Sequence, residues 1–147
     1  LYTFWKRTAP PPYLTTFDAP SREKYCVRRE RTDTPLQALI TMNDPAYVEA
    51  ARHLGGRMIQ HHKTGDDRLD FGFRLVTARH PSSSEKAVLK EALQKYLDKY
   101  EKEVDAAKKL ISVGESPVDE AMNPTELAAY TLVASLLLKV VQSACDR

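Results

Sequence analysis

Two helix starts set nine residues apart constrain this chain more than any other feature. Thr34-Pro35-Leu36-Gln37 has the form of a capping box. The threonine hydroxyl can accept from a free N–H of the first turn, and the glutamine three residues on can reach back to the cap. Proline takes the first helical position, where its missing N–H has no partner to lose. Asn43-Asp44-Pro45 then stops that helix and caps a second. The expectation is a short helix over about Pro35–Met42, a sharp corner, and a longer helix over about Pro45–Gln60. Tyr47, Val48, Ala51, Leu54, Met58 and Ile59 form the apolar side of the longer one at helical spacing. Gly55-Gly56 interrupts it. Each glycine costs roughly 1 kcal/mol against alanine, so the pair implies either a helix packed close by or a kink.

The same grammar recurs downstream. His61 to Gly65 supplies cations and a glycine stop. Asp66–Arg79 carries two patterns. Leu69, Phe71, Phe73 and Leu75 alternate as a strand would, while Leu69, Phe73 and Val76 form a helical stripe. A helix is the better reading, because no partner strand is evident. Ser82 to Glu85 is another capping box. It opens a helix expected to run to about Leu110, with Leu89, Leu93, Tyr96, Leu97, Tyr100 and Val104 on one side. Ser112–Ala121, with Gly114 and Pro117, reads as a loop. Asn123-Pro124-Thr125-Glu126 then starts a last helix reaching about Gln142. Its run Leu127–Leu138 is apolar nearly all round, yet shorter than the ~20 residues a bilayer span needs, so it reads as the central buried helix.

The N-terminal part is different. Leu1–Arg7 reads as the tail of a helix, with Leu1, Phe4 and Trp5 to one side. Ala9-Pro10-Pro11-Pro12 predicts a rigid extended crossover, and Tyr13–Asp18 is expected to stay extended. Arg22–Asp33 is a basic segment expected to run as a structured loop over the helices. The fold expected is all-α: one domain over residues 1–147, an irregular bundle of about five helices. Residues 1–34 would be a Pro-rich and basic crossover, and residues 35–147 the helical core. A chain of 147 residues is long enough to bury such a core.

Composition narrows function mainly by exclusion. A net charge of +2 gives little reason to invoke nucleic acid. The charge is uneven: residues 1–34 carry a net +3. Within them Arg22, Arg28, Arg29 and Arg31 are candidates for binding an anion, since guanidinium forks suit carboxylate, sulfate and phosphate. The plainer alternative is that Asp18, Glu23, Glu30 and Asp33 pair with them and pin the loop. Cys26 and Cys145 form no CxxC or CxxCH, so neither a zinc ribbon nor covalent haem attachment is encoded; one disulfide is open, and simple burial is the commoner fate. His53, His61, His62 and His80 lack the spacing of a zinc motif. Ser82-Ser83-Ser84 is a cap without a nucleophile elbow. Trp5, Tyr13 and Phe17 suit either a stacking platform or, more simply, core beneath the crossover. No catalytic set, metal site or cofactor site is assigned.

Several stretches together resemble a known family. LYTFWKRTAPPP, FDAPSRE, RRERTDTPLQAL and MNDPAYVEAAR, with FRLVTARHPSSSE and ELAAYTLVASLLL behind them, closely resemble domain-of-unknown-function family 1553, found in large secreted planctomycete proteins. Such domains commonly sit C-terminally in chains that also carry a cytochrome-c-like domain. The chain departs from the family pattern in its end, Lys139–Arg147, and in Tyr130, where a tryptophan is typical. The resemblance implies an extracytoplasmic location and a fragment of a larger protein. Haem c would be held elsewhere in the parent, and the other domains of that parent would be the partners. It brings no catalytic residues. Two functions follow as expectations: a non-catalytic structural or docking module, or an accessory part of an enzyme acting on sulfated or complex polysaccharides through the arginine-rich loop.

Overall fold

The computed structural model of the chain describes all residues except 1–5, 7, 29–31, 33, 62, 120, 146 and 147; the side chains of 141–145 are also outside the described set. Seven helices and no strand occur among the described residues: α1 (Pro12–Thr16), α2 (Pro35–Asn43), α3 (Pro45–His61), α4 (Gly65–Thr77), α5 (Ser83–Lys102), α6 (Val104–Ile111) and α7 (Pro124–Cys145). The fold is all-α, as the capping pattern implies.

The caps form as read. Thr34 accepts from the Gln37 N–H and the Gln37 side chain accepts from the Thr34 N–H. Ser82 and Glu85 make the same reciprocal pair at α5. Asp44 ends α2 through its backbone N–H and opens α3 by accepting from the Ala46 N–H at 2.9 Å. Asn123 does this for α7 through Thr125. Asp66–Arg79 resolves to helix, as α4.

The structure corrects three expectations. Tyr13 to Thr16 is not extended: the prolines that stiffen residues 10–12 also start a helix, with Pro12 at its first position. The helix from Ser83 does not run through to Leu110. It stops at Lys102, Glu103 turns out of helical geometry at φ −122° and ψ 61°, and α6 restarts at Val104. Val104 is consequently 42% exposed and not part of the core stripe. Leu93, Tyr100 and Ala107, all buried, stay seven residues apart across the break, so periodicity is silent about it. Tyr13 is exposed, while Phe17 packs on Tyr47 with ring centroids 6.0 Å apart. The reading of Leu1–Arg7 and the role of Trp5 lie outside the described residues.

α7 is the central element. It touches α2, α3, α4, α5 and α6, and it buries Leu127, Ala128, Ala129, Tyr130, Thr131, Val133, Ala134 and Leu137. Its small residues let α3 come close. A Cβ on Gly55 would sit 3.0 Å from the Thr131 nitrogen and the Tyr130 carbonyl carbon, both backbone atoms that cannot swing aside. Gly56 is different: a Cβ there would meet only Met122 and Leu127 side chains, at 3.5 Å or more. Arg68 of α4 lies over the Tyr130 ring at 5.5 Å and meets Glu126 at 2.6 Å, tying α4 to the start of α7.

Two stability predictions follow from these contacts. Gly55→Ala should destabilise by about 1–3 kcal/mol, since overpacking forces the helices apart. Gly56→Ala should be neutral or stabilise by up to about 1 kcal/mol, through helix propensity. Denaturant unfolding of both variants checks the pair. Asp44→Ala, which removes a cap, should cost about 1 kcal/mol in the same assay.

Candidate functional site

Two of the four anion-binding candidates are described. Arg22 and Arg28 lie on the fully exposed stretch 21–28, together with Lys24, Tyr25, Cys26 and Val27. Arg29 and Arg31 lie outside the described residues. Cys26 is a free, exposed thiol whose Sγ is 3.1 Å from the Arg28 carbonyl oxygen. His53 and His80 each face a carboxylate, Glu49 at 3.8 Å and Asp70 at 3.2 Å. His61 packs its ring on Phe71, 5.3 Å between centroids, and His62 is outside the described set.

The distinctive residues form fasteners within the chain. Gln37, 2% exposed, is the hub of the first. Its amide nitrogen donates to the Thr16 carbonyl at 2.8 Å and to the Thr32 hydroxyl at 3.0 Å, while its oxygen accepts from the Thr34 N–H. Asp18 stands in left-handed geometry at φ 56° and accepts from both the Thr32 N–H at 2.8 Å and the Thr32 hydroxyl at 2.7 Å. Those bonds hold its carboxyl below the ordinary range, the hydroxyl of Thr32 contributing most. One glutamine therefore caps α2 and ties α1 and both ends of the basic loop to it.

A second fastener was not evident from spacing. Arg52 is 4% exposed on α3 and reaches the Ile111 carbonyl at 2.7 Å and the Ser116 carbonyl at 2.9 Å. Glu49, one turn earlier, accepts from the N–H groups of Glu115 at 3.1 Å and Ser116 at 2.9 Å and from the Ser116 hydroxyl. Together they grip the end of α6 and the loop that leads to α7. The Ser116 hydroxyl, then the two N–H groups, hold the Glu49 carboxyl down at about 2. The available signal was an arginine within the apolar stripe of α3, between Val48 and Ile59. A third fastener is the turn between α4 and α5. Arg79 forks onto Glu85 at 2.9 and 2.6 Å and covers the Phe73 ring at 4.8 Å, and chiefly through Arg79 the Glu85 carboxyl is held at about 2.

With its polar side chains spent on those bonds, α2 turns an apolar face outward. Leu36, Leu39 and Met42 are 55, 54 and 48% exposed, while Gln37 and Thr41 on the opposite side are 2 and 7% exposed. The helix is amphipathic in the reverse sense: polar side inward, apolar side to solvent.

Fold and site define a helical module whose most characteristic residues bind one another and whose outer surface includes an uncovered apolar helix face. The chain belongs to PSD1, a family of proteins of unknown function (DUF1553), whose family model matches residues 1–93. All three fasteners have their anchoring side chains inside that span. No curated protein and no solved structure matches the chain.

The Glu49 clamp has a pH signature. Its carboxyl titrates near 4.5 when free and near 2 when folded, so its contribution is fully present above about 4.5 and is lost as pH falls through about 2. Glu49→Gln should flatten the acid limb of stability between those values, read by thermal unfolding at stepped pH. An unchanged acid limb would show that the clamp carries none of it.

Proposed function

We propose that this chain is a non-catalytic docking module and that the outward face of α2 is its contact surface. The reverse amphipathicity of α2 carries this reading. Exposed apolar side chains clustered on one helix face mark interaction sites. Here they lie within TPLQALITM, inside the span that the family model matches. The neighbouring α1 packs on α2 and leaves Tyr13 38% exposed. Among the described residues no helix is long and apolar enough to cross a membrane.

The occupant we assign is another domain of the same parent polypeptide. Gln37 and Asp18 fasten the segment from Thr16 to Thr34 onto the inward side of α2, which leaves the outward face open to a neighbouring domain. The setting we propose is an extracytoplasmic multidomain protein in which haem c, where present, is carried by a different domain. The module itself needs no cofactor for this role.

The test uses the parent protein with Leu36→Glu, Leu39→Glu and Met42→Glu combined. Separately produced, the remaining domains should bind the wild-type module and lose at least tenfold in affinity for the triple variant, measured by calorimetry. The thermal midpoint of the module should change little, because these side chains are solvent-exposed. Equal binding by both would remove α2 as the contact. Saturable binding of sulfated glycans, abolished by Arg28→Ala, would favour the polysaccharide reading instead.

A further inference from the structure

The two adjacent glycines of α3 have different reasons to exist. Gly55 is required by the close approach of α7. Gly56 is equally buried, yet a methyl group there would make only ordinary contacts of 3.5 to 3.9 Å with Met122 and Leu127. Packing does not demand a glycine at this position. What its missing side chain leaves is space at the base of a cavity of about 160 Å³ between α3 and residues 117–122.

The lining of that cavity is divided. Pro117, Val118, Met122 and Leu127 give it apolar walls around Gly56. Arg57 and His53 stand at one rim, both exposed, and Arg57 makes no ion pair among the described residues. The buried Arg52 adds positive charge at the same end, although its guanidinium is already committed to the Ile111 and Ser116 carbonyls. Gln60 and Asp119 also line the cavity, Gln60 donating to Asp119 at 3.4 Å. Glu49 reaches only the Arg52 and His53 end, 3.8 Å from each.

We propose that this cavity binds a small monocarboxylate with a compact apolar body, about the size of benzoate. An apolar cavity of about 150 Å³ accepts a benzene-sized ring, which matches the volume here. A guanidinium fork selects a carboxylate over a neutral group. The ring lies over Gly56 between Met122 and Leu127, with the carboxylate toward Arg57 and His53. Asp119, in the same lining, repels a second negative charge, which sets monocarboxylates apart from dicarboxylates. Sulfate and phosphate lack a body to cover the apolar walls.

The test is a titration of the full chain with benzoate at pH 7, followed by amide resonances in two-dimensional NMR. Saturable shifts are expected at Gly56, Arg57, Val118 and Met122, with a dissociation constant on the order of 1 mM for so small a ligand. Benzamide, the same shape without charge, and phthalate, with a second charge, should each bind about fivefold more weakly. Arg57→Gln should weaken benzoate by a similar factor and leave benzamide unchanged. Gly56→Leu, which fills the cavity, should abolish both. Arg57 is exposed, so its variant retains the fold and keeps the test decisive if Gly56→Leu does not. Absence of saturation at about tenfold above the expected constant would overturn the proposal. So would equal binding of benzamide, or benzoate binding unchanged by Arg57→Gln.

Discussion

The close crossing of α3 and α7 is the contact on which the rest of this structure depends. At Gly55 the two backbones approach so closely that a Cβ would lie 3.0 Å from backbone atoms of Tyr130 and Thr131, tighter than side chains ordinarily pack. α7 can then touch five other helices because its own surface there is built of alanines, Thr131 and Val133. Around this crossing the chain has few loops free to wander. Arg52 and Glu49, projecting from α3, hold the end of α6 and the following loop by five hydrogen bonds. A buried arginine without such acceptors would be severely destabilising; with its carbonyl partners it becomes a clamp.

Seen from the crossing outward, the polar chemistry of this chain is largely chemistry of attachment. Gln37, Asp18 and Thr32 attach the N-terminal segment, Arg79 and Glu85 attach the turn before α5, and Asp44 joins two helices at a corner. These polar groups are satisfied locally, which rigidifies the frame. The exception is the apolar face of α2, which nothing among the described residues covers. A rigid frame presenting one uncovered apolar helix face suits docking better than catalysis, and the proposed role follows from that contrast.

Much of the frame was legible in the sequence because capping is a local code. Thr34 to Gln37 and Ser82 to Glu85 announce helix starts within four residues, and both are found where the spacing puts them. The all-round apolar run Leu127–Leu138 likewise announced its burial. What was hidden depends on distance. The break at Glu103 has no proline or glycine and keeps the apolar register, so only the pull of α7 on Ala107 and Ile111 explains it. α1 was hidden because three prolines suit an extended segment as well as a helix start. The second fastener was hidden because Arg52 finds its acceptors 59 and 64 residues away. The inward polar side of α2 was hidden for the same reason: Gln37 had been read as a cap alone, and its reach to Thr16 spans 21 residues. The arginines of the basic loop were visible, and the two described ones, Arg22 and Arg28, lie on an exposed stretch of it.

The most direct measurement is amide hydrogen exchange on α2, compared between the isolated module and the full parent protein. The account predicts that residues 36–42 gain protection in the parent, while the loop 21–28 exchanges equally fast in both. Unchanged exchange across α2, or new protection confined to the basic loop, would contradict it.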